Sequence, residues 1–190
     1  MTRLSLLIPI ISLLLTASSC GNKTLPSKSS TDTLWNDSVQ DTFYGMKLGE
    51  PITKDSVISI LTSNGLALLE QASTENNLKF SSKEYMTISY EGMTCQNILI
   101  IIDNGKFKGI DFFNNYTGKE AATQNYELIK KEISKKYKLT PVTSKDSTAS
   151  YRSMIYGRNN IEGVVGSFKK ETPTEGTIIY NAIAYRIKNL

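Results

Sequence analysis

Ile98-Leu99-Ile100-Ile101-Ile102-Asp103-Asn104-Gly105-Lys106-Phe107 is the stretch on which the fold turns. Its aliphatic run is short, rich in β-branched residues and bounded by turn residues, which reads as a strand. Asn-Gly between two apolar runs is the strongest short hairpin signal, because a two-residue type I′ loop needs positive φ at both positions. The return strand is Phe107–Phe113. An unbroken aliphatic run offers no polar face. The strand is therefore central, covered on both faces or by helix on one side and loop on the other.

Working upstream, Met86, Ile88 and Tyr90 alternate with Thr87 and Ser89, and Glu91-Gly92 turns the chain towards Ile98. Weaker strand patterns cover Leu66–Ala72 and Asn77–Ser81. Downstream, Ser150–Tyr156, Ile161–Lys169 and Thr177–Ile187 read as strands, separated by Gly157-Arg158-Asn159-Asn160 and Thr172-Pro173-Thr174. Two helices frame this set. The first spans about 53–64: Thr53 opens it, Val57, Ile58 and Leu61 form its stripe, and Asn64-Gly65 stops it. The second spans about 118–138: Thr117-Gly118-Lys119-Glu120 forms a capping box, and Ala122, Tyr126, Ile129, Ile133 and Tyr137 form its stripe. Strands joined by short turns pair antiparallel. The expected class is α+β, an antiparallel, curved sheet with both helices packed on it, built by residues 43–190 as one domain.

The N-terminus has a different character. Arg3 precedes an apolar run, Leu6–Leu15, and a small polar stretch, Thr16-Ala17-Ser18-Ser19. This order makes a secretory signal; the run is short for a spanning helix, which needs ~20 apolar residues. Ala17-Ser18-Ser19-Cys20 resembles the lipobox of bacterial lipoproteins. The resemblance implies signal peptidase II cleavage between Ser19 and Cys20 and acylation of Cys20, with residues 1–19 as signal peptide. It departs at Ala17, where Leu is commonest. An ordinary signal peptide or an N-terminal anchor helix are the alternatives. Two or three acyl chains hold durably where one is marginal, so the membrane is the first expected partner, through Cys20. Gly21 in the place of a retaining Asp points to the outer membrane of a bacterial envelope, with the domain facing the periplasm.

Residues 20–42 then read as the lipidated cysteine and a flexible tether, too polar to offset the entropy of ordering. Trp35 is expected as a loosely packed aromatic at the domain's edge. Asp32-Thr33-Leu34 and Asp37-Ser38-Val39 resemble an O-glycosylation acceptor of exported Gram-negative proteins, which makes Thr33 and Ser38 candidate modification sites. With Cys20 acylated, Cys95 has no disulfide partner, and its neighbours offer nothing to activate a thiol. It is expected to be a small buried side chain at a strand start.

The chain contains no histidine. Ser-His-Asp and Cys-His catalysis and His-based metal sites are thereby excluded in their usual forms, and no phosphate-cradling glycine motif occurs. No cofactor and no metal site is expected. Glu84, Glu91, Asp103, Asp111 and Glu162 are the carboxylates available to a hydrolase, each better read as a turn or solvent-facing residue. The formal net charge of +4 is too small to call for nucleic acid. Lys130, Lys131, Lys135, Lys136 and Lys138 crowd one helix end, where cations complement the helix dipole.

Gly45-Met46 and Thr53-Lys54-Asp55-Ser56-Val57 are similar to a motif of BamE/SmpA-type outer-membrane lipoproteins, and the chain length suits the tandem β-lactamase-inhibitor-like arrangement. The resemblance implies a protein-binding role. Three readings follow: a non-catalytic module that binds an envelope protein by a flat patch or open strand edge; a small-ligand or glycan carrier with a concave aromatic cavity; and, third, a carboxylate-based hydrolase.

Overall fold

The computed structural model describes residues 34–83, 87–142, 149–172 and 176–188, and these form a mostly-sheet domain with two helices, consistent with the α+β class. The elements are β1 (Trp35–Asn36), β2 (Thr42–Phe43), β3 (Met46–Lys47), α1 (Lys54–Ser63), β4 (Leu66–Leu68), β5 (Asn77–Ser82), β6 (Ile88–Tyr90) and β7 (Met93–Cys95). They continue with β8 (Asn97–Asp103), β9 (Lys106–Tyr116), α2 (Lys119–Ser134), β10 (Thr140–Pro141), β11 (Ala149–Gly157), β12 (Ile161–Thr172) and β13 (Gly176–Ile187). The main sheet runs β1-β11-β12-β13-β9-β8-β5-β4, with β10 beside β11.

The hairpin that organises the sheet forms where expected. Asn104 and Gly105 take φ of 50° and 70°, and Asp103 pairs with Lys106 across them. Asn reaches the left-handed region at little cost and Gly at none, which is why this dipeptide makes the turn. Strands β8 and β9 lie inside the sheet, flanked by β5 and β13. Ile98, Ile100, Phe112 and Ile110 point to one face and are buried, while Leu99 and Ile101 on the other are only half-buried. A register shift between Ile101 and Ile102 adds a bulge next to the turn.

Both helices cover that one face. Thr53 caps α1, its Oγ1 accepting from the Ser56 amide at 3.2 Å, and Val57 and Leu61 are fully buried. The stripe of α2 is the expected one: Ala122, Tyr126, Ile129 and Ile133 are buried, and Tyr137 follows just past the helix. Asn181, fully buried on β13, donates to the Ala122 carbonyl at 2.6 Å and fixes where α2 begins. Under the helices lies an aromatic cluster: Tyr90 stacks on Phe112 at 4.0 Å, and Phe43 lies 5.1 Å from Tyr185.

Several expectations are corrected. The tether does not extend to residue 42: from Trp35 on, the chain belongs to the domain. Asn36 donates to the carbonyls of Lys138 and Tyr156 and accepts from the Lys138 amide. Asn159 clasps Val39 by accepting from its amide and donating to its carbonyl, and Val39 is buried. These bonds span over a hundred residues of sequence, so local composition could not reveal them. The second helix ends at Ser134 rather than 138, because its last turn tightens and Asn36 draws the chain away at Lys138. Its N-cap is Gly118 with no side-chain bond, so the Thr117 capping box is not formed. The strand expected over Leu66–Ala72 stops at Leu68 and gives way to a 3-10 turn at Glu70–Ala72. Cys95 closes strand β7 instead of opening one. It is buried as expected, and burial pushes its thiol up to about 12.

Candidate binding face

Every strand of the sheet has a second face, and neither of the two described helices packs there. In β9 the pleat sends Asp111, Phe113 and Asn115 to this side. Cross-strand register extends it: Lys79 opposite Leu99, Leu99 opposite Asp111, Phe113 opposite Ala182, Asn115 opposite Tyr180, and Tyr180 opposite Phe168. Directly paired residues point the same way, so all of these side chains share one surface.

Small residues make its floor. A Cβ on Gly109 would lie 2.3 Å from Arg186 Cδ, and one on Gly166 would lie 2.4 Å from the Phe168 ring. The missing side chains thus let an arginine and an aromatic ring lie flat on the sheet, and Ala182 keeps the middle low. Aromatic rings stand around this floor. Phe168 stacks on Tyr180 at 5.2 Å and 20°, and Phe113 meets Tyr180 edge-on at 6.4 Å. Lys79 Nζ sits 5.3 Å over the Phe113 ring. The open cavity there is about 570 Å³, lined by Lys79, Leu99, Asp111, Phe113, Lys170 and Tyr180 among others. That is within the usual range of ~300–1,000 Å³ for small-molecule sites.

Its charges are unequal in kind. Asp111, 19% exposed, forms an ion pair with Arg186, whose Nη1 also donates to the carbonyls of Ile110 and Tyr185. Burial pushes the Asp111 carboxyl upward against the pull of Arg186. Lys79 is held below the ordinary lysine value, first by burial and then by the charge of Lys170. Among the described residues neither lysine has a carboxylate within ion-pair distance.

The candidate carboxylates fare differently. Glu162 stands opposite Arg186 on the same face as Asp111, so the two acids flank one arginine across strand β13. Two strand spacings put their backbones about 10 Å apart before the register offset is counted. Glu91 pairs with Lys136 and Asp103 lies at the hairpin turn. Among the described residues no three acidic or cysteine side chains converge as a metal would require. Of the crowded lysines, Lys130, Lys135 and Lys136 pair with Glu127, Glu132 and Glu91. Ser38 is exposed beside the fully exposed Asp37. Trp35 is half-buried on β1 at the sheet edge, tilted on Tyr156 at 5.5 Å with Lys188 Nζ 4.3 Å above it. Ser19, Cys20, Thr33 and Glu84 lie outside the described residues.

The sheet ends in two short edge strands, β1 of two residues and β4 of three, a small template for a β-adding partner. Beyond β4, the outer side of β5 is bonded by Leu69, Ser73 and Thr74 to Lys79 and Asn77. Strand β11 is met by β1, β10 and Val142 over Arg152–Gly157. The sequence reading did not single out Lys79, Phe113, Phe168, Lys170 or Tyr180. The available signal was a pair of glycines, Gly109 and Gly166, inside otherwise regular strands. Comparison with protein-family models, with curated proteins and with solved structures finds no match to this chain.

Proposed function

We propose that this chain is a lipid-anchored protein of the bacterial envelope whose domain is a non-catalytic binding module, with the helix-free face as its site. Acylation at Cys20 supplies the anchor, and the outer membrane, with the domain facing the periplasm, is the compartment. Of the two binding roles, carriage of a small ligand is the better supported. One observation carries it: the aromatic-walled cavity around Phe113 and Tyr180, with Ala182 at its floor. An aromatic cavity with a few placed polar groups is what small ligands need. Docking of an envelope protein by strand addition would need a long free edge, and the edge strands β1 and β4 are only two and three residues long. Sheet curvature would deepen the same depression.

The test is purification of the protein from native membranes after mild crosslinking. A monomer that retains a small molecule is the expected result, and Cys20→Ala should abolish lipid labelling and release the domain in soluble form. A crosslinked envelope protein with no retained small molecule would overturn the carrier role. A Cys20→Ala chain that still fractionates with membranes would overturn the anchor.

A further inference from the structure

Resting on that reading, the charge around the cavity narrows the ligand. We propose that the face binds a small planar aromatic anion, its ring laid against Phe113 and Tyr180 and its acidic group held by Lys79 and Lys170. Both lysines line the same cavity. Their charges act on each other, which is unfavourable unless an anion relieves it. Arg186, on the same face, is already engaged by Asp111 and by two backbone carbonyls. Among the described residues Asp111 is the one carboxylate lining the cavity, and Arg186 already engages it.

The aromatic half of the argument is geometric. Lys79 covers one side of the Phe113 ring, so that ring is already in a cation–π arrangement. Tyr180 meets Phe113 at a T-shaped angle and lies face to face with Phe168. A flat body lying over Ala182 against the outer sides of Phe113 and Tyr180 would find π surface beside it and an ammonium at its end. The half-buried state of Phe113, Phe168 and Tyr180 leaves apolar area to be covered.

Two fluorescent probes of one skeleton separate charge from shape: 8-anilinonaphthalene-1-sulfonate, which is anionic, and N-phenyl-1-naphthylamine, which lacks the sulfonate. Titrations use the full chain carrying Cys20→Ala, without detergent. The sulfonate should bind about tenfold tighter than the neutral probe, the worth of one charge-assisted contact. Lys79→Gln with Lys170→Gln should remove that advantage and leave neutral-probe affinity within about twofold, while Lys131→Gln, an exposed lysine on α2, should change neither. Equal binding of both probes, indifferent to the two lysines but weakened by Phe113→Thr, would overturn the anion preference and leave the cavity standing. Binding of neither probe, or binding that Phe113→Thr leaves untouched, would overturn the site itself.

Discussion

Phe112 and Phe113 follow one another on β9, and the pleat sends their rings to opposite faces of one sheet. Phe112 is 1% exposed, stacked on Tyr90 and 6.0 Å from Phe43, beneath the helices. Phe113 is half-buried on the face without a helix, under Lys79 and against Tyr180. Residue type is the same and sequence position differs by one, so hydrophobicity alone does not assign a role. Cover does. Where a helix closes the face, an aromatic ring contributes stability through full burial. Where nothing closes it, the ring keeps surface that a ligand can take up.

The contrast can be broken most sharply at Phe112. Phe112→Ala should cost about 3–5 kcal/mol, since it removes a buried ring and leaves a cavity under Tyr90. Chemical denaturation measures it, and a loss below about 1 kcal/mol would mean that the covered face is not the core. A smaller effect tests the same face through Cys95. Its thiol is raised from 9.0 to about 12 by burial, so the folded chain keeps the proton where the unfolded chain releases it. The stability this contributes is intact below pH 9 and is lost as pH rises towards 12. At pH 10 the loss is about 1.4 kcal/mol, and Cys95→Ala should remove that part of the alkaline decline. Rapid labelling of native Cys95 by a thiol reagent at pH 8 would contradict its burial. The smallest effect belongs to Phe113. Phe113→Thr keeps a strand-favouring residue and should change stability by less than about 1 kcal/mol while weakening the probes described above. A large loss of stability there would erase the distinction between the two faces.

Local signals made much of the fold legible. Asn104-Gly105 identified its hairpin because positive φ is a property of the dipeptide itself. The α2 stripe was legible because its four buried residues recur at helical spacing. Boundaries were less so: Gly118 displaced the expected Thr117 cap, and Asn36 shortened the helix that follows, a contact from the far end of the domain. The candidate face was the least legible part. Alternation along β9 and β13 tells that two faces exist, but Ile98–Ile102 is apolar on both and names neither as covered. Which one the helices take follows from Asn181 gripping the start of α2 and from Tyr126, Ile129 and Ile133 finding the β12–β13 side.

What the sequence determined by itself is therefore the local conformation: turns, strands and helical stripes. The tertiary structure alone decided that β13 sits between β12 and β9, which brings Phe113, Tyr180 and Phe168 from three separate strands into contact. It also decided that Lys79 and Lys170, ninety-one positions apart, would share one cavity. Periodicity reports which way a side chain points from its own strand. Only strand order and register determine which other side chains point beside it, and those depend on packing across the whole chain.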